Sequence, residues 1–232
     1  MRMVGLIPAR GGSKGIPRKN LASCAGESLL AWTARAALKA EKLCRVILST
    51  DDPAIAKEGV RLVLDVPFMR PNSLAQDDTS MGCVLSHTLD WLDANNDGCD
   101  GIVLLQPTSP LRQARHIDEG VDIYHQKSPA TVVSVVSVPH QFSPNSVLCE
   151  SEGLMKPWAD SPQIFRRQVK PKFWARNGPA VLIVRPEDVR LGRLYGDRVV
   201  GFEMDSVSSL DVDGQADLDY ASWCLSQKGK PS

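Results

Sequence analysis

The stretch MVGLIPARGGSKGIPRKN, residues 3–20, contains the features that decide the fold of this chain. Its apolar run over residues 3–7, bounded by Pro8, predicts a strand buried on both faces. The loop that follows combines three glycines with four cations: Gly11, Gly12, Gly15, Arg10, Lys14, Arg18 and Lys19. Glycines let the backbone approach a ligand closely, and exposed N–H groups beside cations suit a polyphosphate. An ordinary surface turn with its charges facing water is the alternative.

Two better-known phosphate loops are excluded by the spacing of these glycines. A P-loop needs the pattern G-x-x-x-x-G-K-[ST], and the dinucleotide fingerprint needs G-x-G-x-x-G. Gly11, Gly12 and Gly15 fit neither pattern. The loop is therefore interpreted as a triphosphate-binding loop of a third kind.

Composition indicates one α/β domain over residues 1–232, since 232 residues with 43% hydrophobic content can bury one substantial core. Lys+Arg 27 balances Asp+Glu 27, which gives no electrostatic reason to expect a nucleic acid partner. The six cysteines form no C-x-x-C pair, so neither a zinc site nor a disulfide framework is expected. The apolar runs are too short for a signal peptide or a membrane span, and we predict a cytoplasmic protein.

The first half of the chain reads as a βαβ unit. A helix is predicted over residues 27–40, with Leu30, Ala34, Ala37 and Leu38 on its buried face, and a second buried strand over 45–49. Asp51 and Asp52 then precede a proline, which favours helix capping over direct ligand contact. Parallel strands place ligand sites at their carboxyl ends, which is where the glycine loop lies.

The remaining periodicity predicts a three-layer α/β/α sandwich with a mostly parallel sheet. Further strands are expected over residues 60–64, 101–105, 130–138, 180–184 and 199–204, and helices over 80–92, 114–124 and 215–226. Periodicity disappears over residues 140–171, which is typical of a functional lid or an oligomer contact. We therefore predict a small protruding arm over residues 140–179.

Two aspartates near the end of the chain suggest a metal site. Asp211 and Asp213 alternate on an extended segment, so both side chains should face the same side. Like charges repel unless a cation lies between them, which points to a divalent metal. An Asx turn that caps the final helix is the alternative. Asp217, in the first turn of that helix, is expected to stabilise the helix dipole.

Five ordered motifs resemble those of the acylneuraminate cytidylyltransferase family. They are IPARGGSKGIPRKN (7–20), RPNSLAQDDTS (70–80), LLQPTSPLR (104–112), RRQVKPKFWARNG (166–178) and SLDVDG (209–214). The resemblance implies a nucleotide-diphospho-sugar transferase-like fold. It also implies transfer of CMP from CTP to an acidic nine-carbon nonulosonic sugar, with release of pyrophosphate, Mg²⁺ as cofactor and a homodimeric assembly.

The resemblance also implies roles for individual residues. Nucleotide binding would involve Ala9, Arg10, Gly11, Gly12, Ser13, Lys14, Lys19, Asn20, Arg70 and Ser80. The acceptor sugar would be bound by Gln106, Arg166, Gln168 and Asn177, and Mg²⁺ by Asp211 and Asp213. Arg10 and Lys14 would act on the leaving phosphates. Helix capping by Ser80, a stiff loop around Gln106 and a solvated basic face around Arg166 are the corresponding structural alternatives.

The acceptor and the exact activity are left open by the motifs. The family commonly continues its fourth motif with N-G-A and a tyrosine, whereas this chain reads NGPAVL over residues 177–182. The same chemistry on the eight-carbon acid Kdo, a sugar-1-phosphate nucleotidyltransferase and a non-catalytic nucleotide-binding regulator are the alternative functions.

Overall fold

The computed structural model describes residues 1–13, 15–158 and 171–227. Eleven strands are present in these residues: β1 Met3–Pro8, β2 Ser23–Cys24, β3 Glu27–Ser28, β4 Arg45–Ser49, β5 Gly101–Leu104, β6 Thr131–Ser137, β7 Leu148–Ser151, β8 Leu154–Pro157, β9 Trp174–Arg176, β10 Leu182–Val184 and β11 Val199–Glu203. The α-helices are α1 Leu29–Lys39, α2 Pro53–Arg61, α3 Met81–Ala94, α4 Ala114–Lys127, α5 Pro186–Arg190 and α6 Gln215–Gln227. None of the described helices is long and apolar enough to cross a membrane.

A seven-stranded, mostly parallel sheet carries the fold, which confirms the predicted class. Its order is β4-β1-β5-β10-β6-β11, with β9 paired to β6. Strands β4, β1 and β5 are parallel to one another, whereas β10 runs antiparallel to both of its neighbours. All six residues of β1 are buried, as the opening apolar run predicts.

Helices cover both faces of this sheet. Met3 and Ile7 of β1 pack in a cluster that includes residues of α1 and α4. Val4 and Leu6 point to the opposite face, where residues of α3 and α5 complete a second cluster. Successive side chains of a strand alternate between faces, so a strand in the middle of three layers must be apolar throughout.

Helix starts follow the capping residues. Ser28 accepts a hydrogen bond from the backbone of Ala31 and begins α1, two residues later than predicted, because Glu27 and Ser28 pair with β2 in a short hairpin. Asp52 caps α2 through the backbone N–H groups of its first turn, which confirms its capping assignment. The prediction for Leu38 is wrong, since this side chain is exposed.

The strand predicted over residues 60–64 is absent. Val60 belongs to the last turn of α2, and Val63 is 80% exposed. The sheet contact that does form here is a single parallel bridge between Ile47 and Asp65. The sequence pattern of apolar residues at a helix end resembles that of a short strand. Here, however, Val60 and Val63 are exposed and do not pack against the core.

A four-residue bulge separates β9 from β10 along their shared neighbour β6. Val133 faces Leu182 and Val135 faces Arg176, so two steps along β6 correspond to six along the facing segment. Ser134 anchors this bulge, because its hydroxyl donates to the Asn177 side chain and accepts from the backbone of Val181. The bulge moves Gly178 out of the sheet and toward the cleft described below.

Part of the predicted arm forms a second small sheet. Strands β7 and β8 make an antiparallel hairpin that is separate from the main sheet. Its large apolar side chains are exposed, among them Leu148, Leu154, Met155 and, directly after β8, Trp158. The stretch of the arm over residues 159–170 lies outside the described residues.

Candidate active site

A cleft of about 620 Å³ opens at the carboxyl ends of the parallel strands β1 and β5, where the βαβ argument places a ligand site. Four segments line it: the glycine loop, the segment before and into α3, the turn after β5, and the segment before α6. Its lining residues are Pro8, Arg10, Gly12, Ser13, Gly15, Lys19, Asn20, Arg70, Leu74, Gln76, Asp77, Thr79, Met81, Val84, Gln106, Pro107, Thr108, Asp211 and Asp213.

The glycine loop is held in shape by its own polar residues. The Ser13 hydroxyl donates to the carbonyl of Ile16 at 2.5 Å and accepts from the backbone of Lys19 at 3.0 Å. The Asn20 amide donates to the Arg10 carbonyl at 2.9 Å. A loop fixed by such internal bonds presents its remaining groups without first having to be ordered by a ligand.

Strand β4 contributes an aspartate that also supports this loop. Asp51 accepts from the backbone N–H of Gly11 at 3.1 Å and lies 3.5 Å from an amino group of Arg70. Capping of α2 falls to its neighbour Asp52 alone. Asp51 therefore supports two elements of the cleft, whereas the sequence favours helix capping for it. The signal for this role is its position just past the carboxyl end of a parallel strand.

Two arginines bring positive charge to the cleft. Arg10 forms an ion pair with Asp77 at 2.7 Å. Arg70 is almost wholly buried, its Nε has no hydrogen-bond partner in the described part of the chain, and burial lowers its pKa despite the nearby Asp51 carboxylate. An arginine that is desolvated and incompletely bonded is well suited to an anionic ligand.

The glycine loop touches the segment that carries the two aspartates. Lys19 donates from its Nζ to the carbonyl of Val212 at 2.9 Å. A Cβ added at Gly15 would lie 2.7 Å from the carbonyl oxygen of Asp213, so only glycine permits this approach. Two segments that are 193 positions apart in sequence thereby meet in one cleft.

Asp211 and Asp213 both line the cleft, as the alternation argument predicts. Burial raises the pKa of Asp211, a hydrogen bond from the Thr108 side chain opposes this, and the charge of Asp213 raises it further. The Asp211 Oδ1 is buried and has no partner among the described residues, whereas the Asp213 side chain is 86% exposed. A buried, unpartnered carboxylate oxygen beside a second carboxylate fits a hard divalent cation.

Asp217, rather than Asp211 or Asp213, accepts the hydrogen bonds at the start of α6. Its carboxylate accepts from the backbone of Asp213 at 3.0 Å and of Gly214 at 2.9 Å, at the start of α6. The described residues contain no cluster of three or more histidine, cysteine or acidic side chains arranged to hold a metal.

The candidate sugar-binding residues separate into two groups. Gln106 lines the cleft and donates from its amide to the carbonyl of Gly178 at 2.9 Å. Asn177 does not reach the cleft: it is 4% exposed, and its amide bonds to Ser134, Ala180, Ser209 and the Met204 sulfur. Its structural position is that of an anchor for the bulge.

Several predicted nucleotide-binding residues lie at the edge of the cleft or outside it. Ser80 is the N-cap of α3 and accepts from the backbone of Cys83, and its neighbour Thr79 lines the cleft instead. Ala9 and Gly11 are not among the residues that line the cleft. Lys14, Arg166 and Gln168 lie outside the described residues.

The model of the cytidylyltransferase family matches residues 4–199 of this chain. The chain belongs to the cytidylyltransferase family. The names of its relatives confirm the resemblance to acylneuraminate cytidylyltransferases that the five motifs indicate. CMP-N,N'-diacetyllegionaminic acid synthase of Legionella pneumophila is 29% identical over 229 residues, which cover 98% of this chain and 96% of that protein.

Other relatives are longer than this chain. N-acylneuraminate cytidylyltransferase of Escherichia coli is 29% identical over 229 residues, covering 95% of this chain and 51% of its own length. This chain thus spans about half of that relative's length. Among solved structures, a CMP:2-keto-3-deoxy-manno-octonic acid synthetase complexed with CTP superposes with a TM-score of 0.74 at 16% identity, covering 98% of this chain and 100% of the other. That similarity establishes the shared fold.

Proposed function

We propose that this enzyme transfers CMP from CTP to an acidic nine-carbon nonulosonic sugar and releases pyrophosphate. The observation that carries the proposal is that one cleft joins the glycine loop to the Asp211/Asp213 segment, because such a cleft can hold a triphosphate between cations and a metal-binding pair. The relatives that match nearly all of this chain are named for nonulosonic acids, which supports this acceptor class over the eight-carbon acid.

Mg²⁺ is the proposed cofactor, with Asp211 and Asp213 as its protein ligands. When bound, it would supply positive charge to the phosphate oxygens and lower the pKa of the attacking hydroxyl. The unpartnered Oδ1 of Asp211 gives a physical reason for a cation here, since a buried carboxylate oxygen otherwise lacks compensation.

The chain itself contributes positioning and charge neutralisation. In the proposed reaction the anomeric hydroxyl of the sugar attacks the α-phosphorus of CTP, and the bond to the departing pyrophosphate breaks in line with this attack. Arg10, with Lys14 as predicted, would neutralise the leaving phosphates, while Arg70 and the N–H groups of the glycine loop bind the nucleotide. Gln106, held by its bond to Gly178, would orient the acceptor.

A pyrophosphate-release assay tests the proposal. The protein is incubated with Mg²⁺ and each nucleoside triphosphate in turn, with a panel of acceptors that includes neuraminic, legionaminic and pseudaminic acids and Kdo. We expect release only with CTP and a nonulosonic acid. Release with Kdo alone would assign the enzyme to the eight-carbon acid, and binding of CTP without release for any acceptor would indicate a non-catalytic nucleotide-binding protein.

We further propose that the enzyme is a cytoplasmic homodimer whose contact includes the β7–β8 hairpin. Leu148 and Met155 are exposed on one face of this hairpin and Leu154 on the other, and such exposed apolar side chains are typical of an interface. Met155→Glu should shift the sedimentation coefficient from dimer to monomer, whereas Val60→Glu, at an equally exposed position on α2, should leave it unchanged. A wild-type protein that sediments as a monomer at micromolar concentration would contradict this proposal.

A further inference from the structure

Arg112 occupies an unusual position at the end of the turn that follows β5. It is 3% exposed, and its Nη1 donates to two backbone carbonyls, that of Gln106 at 3.2 Å and that of Ala180 at 2.8 Å. These carbonyls belong to segments that are far apart in sequence. One guanidinium therefore connects the turn after β5 to the bulge between β9 and β10.

The charge of Arg112 is not balanced by a neighbouring carboxylate in the described structure. Burial alone lowers its pKa, to about 9, which still leaves the guanidinium protonated at neutral pH. Its Nε and Nη2 are also buried and have no hydrogen-bond partner among the described residues. An unpaired buried cation destabilises a fold, and an apolar side chain of similar length would avoid that cost. The position therefore calls for an explanation beyond packing.

The two segments that carry these carbonyls are also connected to the lining of the cleft. The side chain of Gln106 donates to the carbonyl of Gly178, two residues before Ala180. Gly178 in turn lies against Asp211: its φ is +107°, and a Cβ added there would be 3.1 Å from the Asp211 carboxyl carbon. Contacts thus run without interruption from Arg112 through Gln106 and Gly178 to Asp211.

We propose that Arg112 is a positioning residue for the transfer reaction, because it fixes the Gln106 turn and the Gly178 bulge against each other and thereby sets where Gln106 and Asp211 face the reactants. This inference rests on the proposed function. A guanidinium suits the task because its planar donors can hold two carbonyls in a fixed relation, which a lysine ammonium cannot do with the same precision. Arg112 itself does not line the catalytic cleft.

The variants Arg112→Met and Arg112→Lys test the proposal, with Arg115→Met as matched control. Arg115 lies three residues further along on α4, and its side chain is 64% exposed. We expect Arg112→Met to lower kcat by about 100-fold, the loss typical of reacting groups displaced by roughly 1 Å. Its Kd for CTP, measured without acceptor, should stay within about threefold of wild type. Its Tm should stay close to that of wild type, because the removal of a buried charge offsets the loss of the hydrogen bonds to two carbonyls. Arg112→Lys should lose most of kcat as well, and Arg115→Met should match wild type.

A rescue experiment separates positioning from general destabilisation. Arg112→Ala leaves a space next to a surface groove of about 360 Å³ that Arg112 helps to line. Added methylguanidinium should restore part of kcat in this variant and should not affect Arg112→Met, whose side chain fills the space. If Arg112→Met folds and retains kcat within threefold, or loses Tm and CTP binding together with kcat, the proposal is wrong.

Failure of the proposed function can be distinguished from failure of the positioning role of Arg112. If wild type releases no pyrophosphate with any acceptor, the proposed function fails, but positioning can still be measured by hydrogen exchange. The N–H groups of Ala180 and Val181 are bonded to Asn177 and Ser134 within the bulge. Arg112→Met should accelerate exchange at these amides at least tenfold relative to Arg115→Met, and unchanged exchange would overturn the inference without reference to activity.

Discussion

Replacing Asp211 with asparagine should make the metal-free protein more stable and inactive. The substitution keeps the shape of the side chain and its acceptor for the bond from Thr108, but it removes a charge that the fold disfavours. In wild type the buried Oδ1 has no partner among the described residues, and burial together with Asp213 raises the pKa above its usual value of 3.8. Leaving a buried polar group unbonded costs about 1–3 kcal/mol.

The asparagine side chain is also polar and would leave a buried atom unbonded, so only part of that cost is removed. We therefore expect a net gain of about 1 kcal/mol in the free energy of unfolding. For a domain of this size that corresponds to a rise in Tm of about 2–4 °C. The gain should depend on pH in a defined direction. Because the folded-state pKa of Asp211 is raised, the folded protein favours its protonated form, and wild type loses stability as pH rises from 3.8 through the folded value. The advantage of the variant should therefore be full at pH 7 and should shrink as pH falls toward 3.8.

Thermal unfolding in EDTA at pH 7 and pH 4 measures this difference, and the pyrophosphate assay measures activity. Turnover should fall by at least about 100-fold. Mg²⁺ with CTP should raise the Tm of wild type more than that of the variant. Asp219→Asn, an exposed position on α6, serves as the control and should change neither quantity. A variant that is less stable than wild type at pH 7, or that keeps its rate within tenfold, would refute the reasoning.

Three further predictions concern two residues of the cleft and the buried Asn177. Gly15→Ala should destabilise the protein by about 1–3 kcal/mol in chemical denaturation because its methyl group would meet a backbone carbonyl at 2.7 Å, whereas Gly12→Ala, with nothing within 4 Å, should not. Asp77→Asn should tighten CTP binding in calorimetry by up to about fivefold, because a part-exposed ion pair no longer competes for Arg10; weaker binding would give Asp77 a role in holding the nucleotide. Asn177→Ala should lower the free energy of unfolding by about 3 kcal/mol, and a rise in the KM for the acceptor with unchanged stability would instead place Asn177 in the sugar site.

The central strands were predictable because a parallel sheet covered on both faces needs continuous apolar runs. The runs at residues 3–7, 45–49 and 130–138 all form strands of the main sheet. The run that ends at Leu64 has similar composition, but its first residue, Val60, lies in the last turn of α2. Composition alone does not distinguish a short strand from the last turn of a helix.

The bulge before β10 was not predictable for a different reason. It depends on Ser134 bonding to Asn177, a contact between residues 43 positions apart. No local pattern around Asn177 reveals that its amide points into the core rather than the cleft. The sugar-binding role predicted from the Arg–Asn–Gly motif stays a prediction, and the structural role of Asn177 depends on its tertiary contacts.

The site was predictable to the extent that it follows strand ends. Gln106 and the glycine loop lie at the carboxyl edge of the sheet, as expected from the topology. Asp77 was missed as a partner of Arg10 because it stands in a run of polar residues that turns and caps explain equally well. Asp77 can be told apart from its polar neighbours only in the folded structure, where its segment contacts the glycine loop.

The contact between Lys19 and the carbonyl of Val212 spans 193 positions of the chain. During synthesis on the ribosome, strands β1, β4 and β5 are available to pair long before this contact can form. The nascent protein would thus hold these strands with an incomplete cleft until the segment around Val212 leaves the exit tunnel. Any chain shortened before residue 211, by a premature stop or by proteolysis, would lack the part of the cleft lining that Asp211 and Asp213 provide.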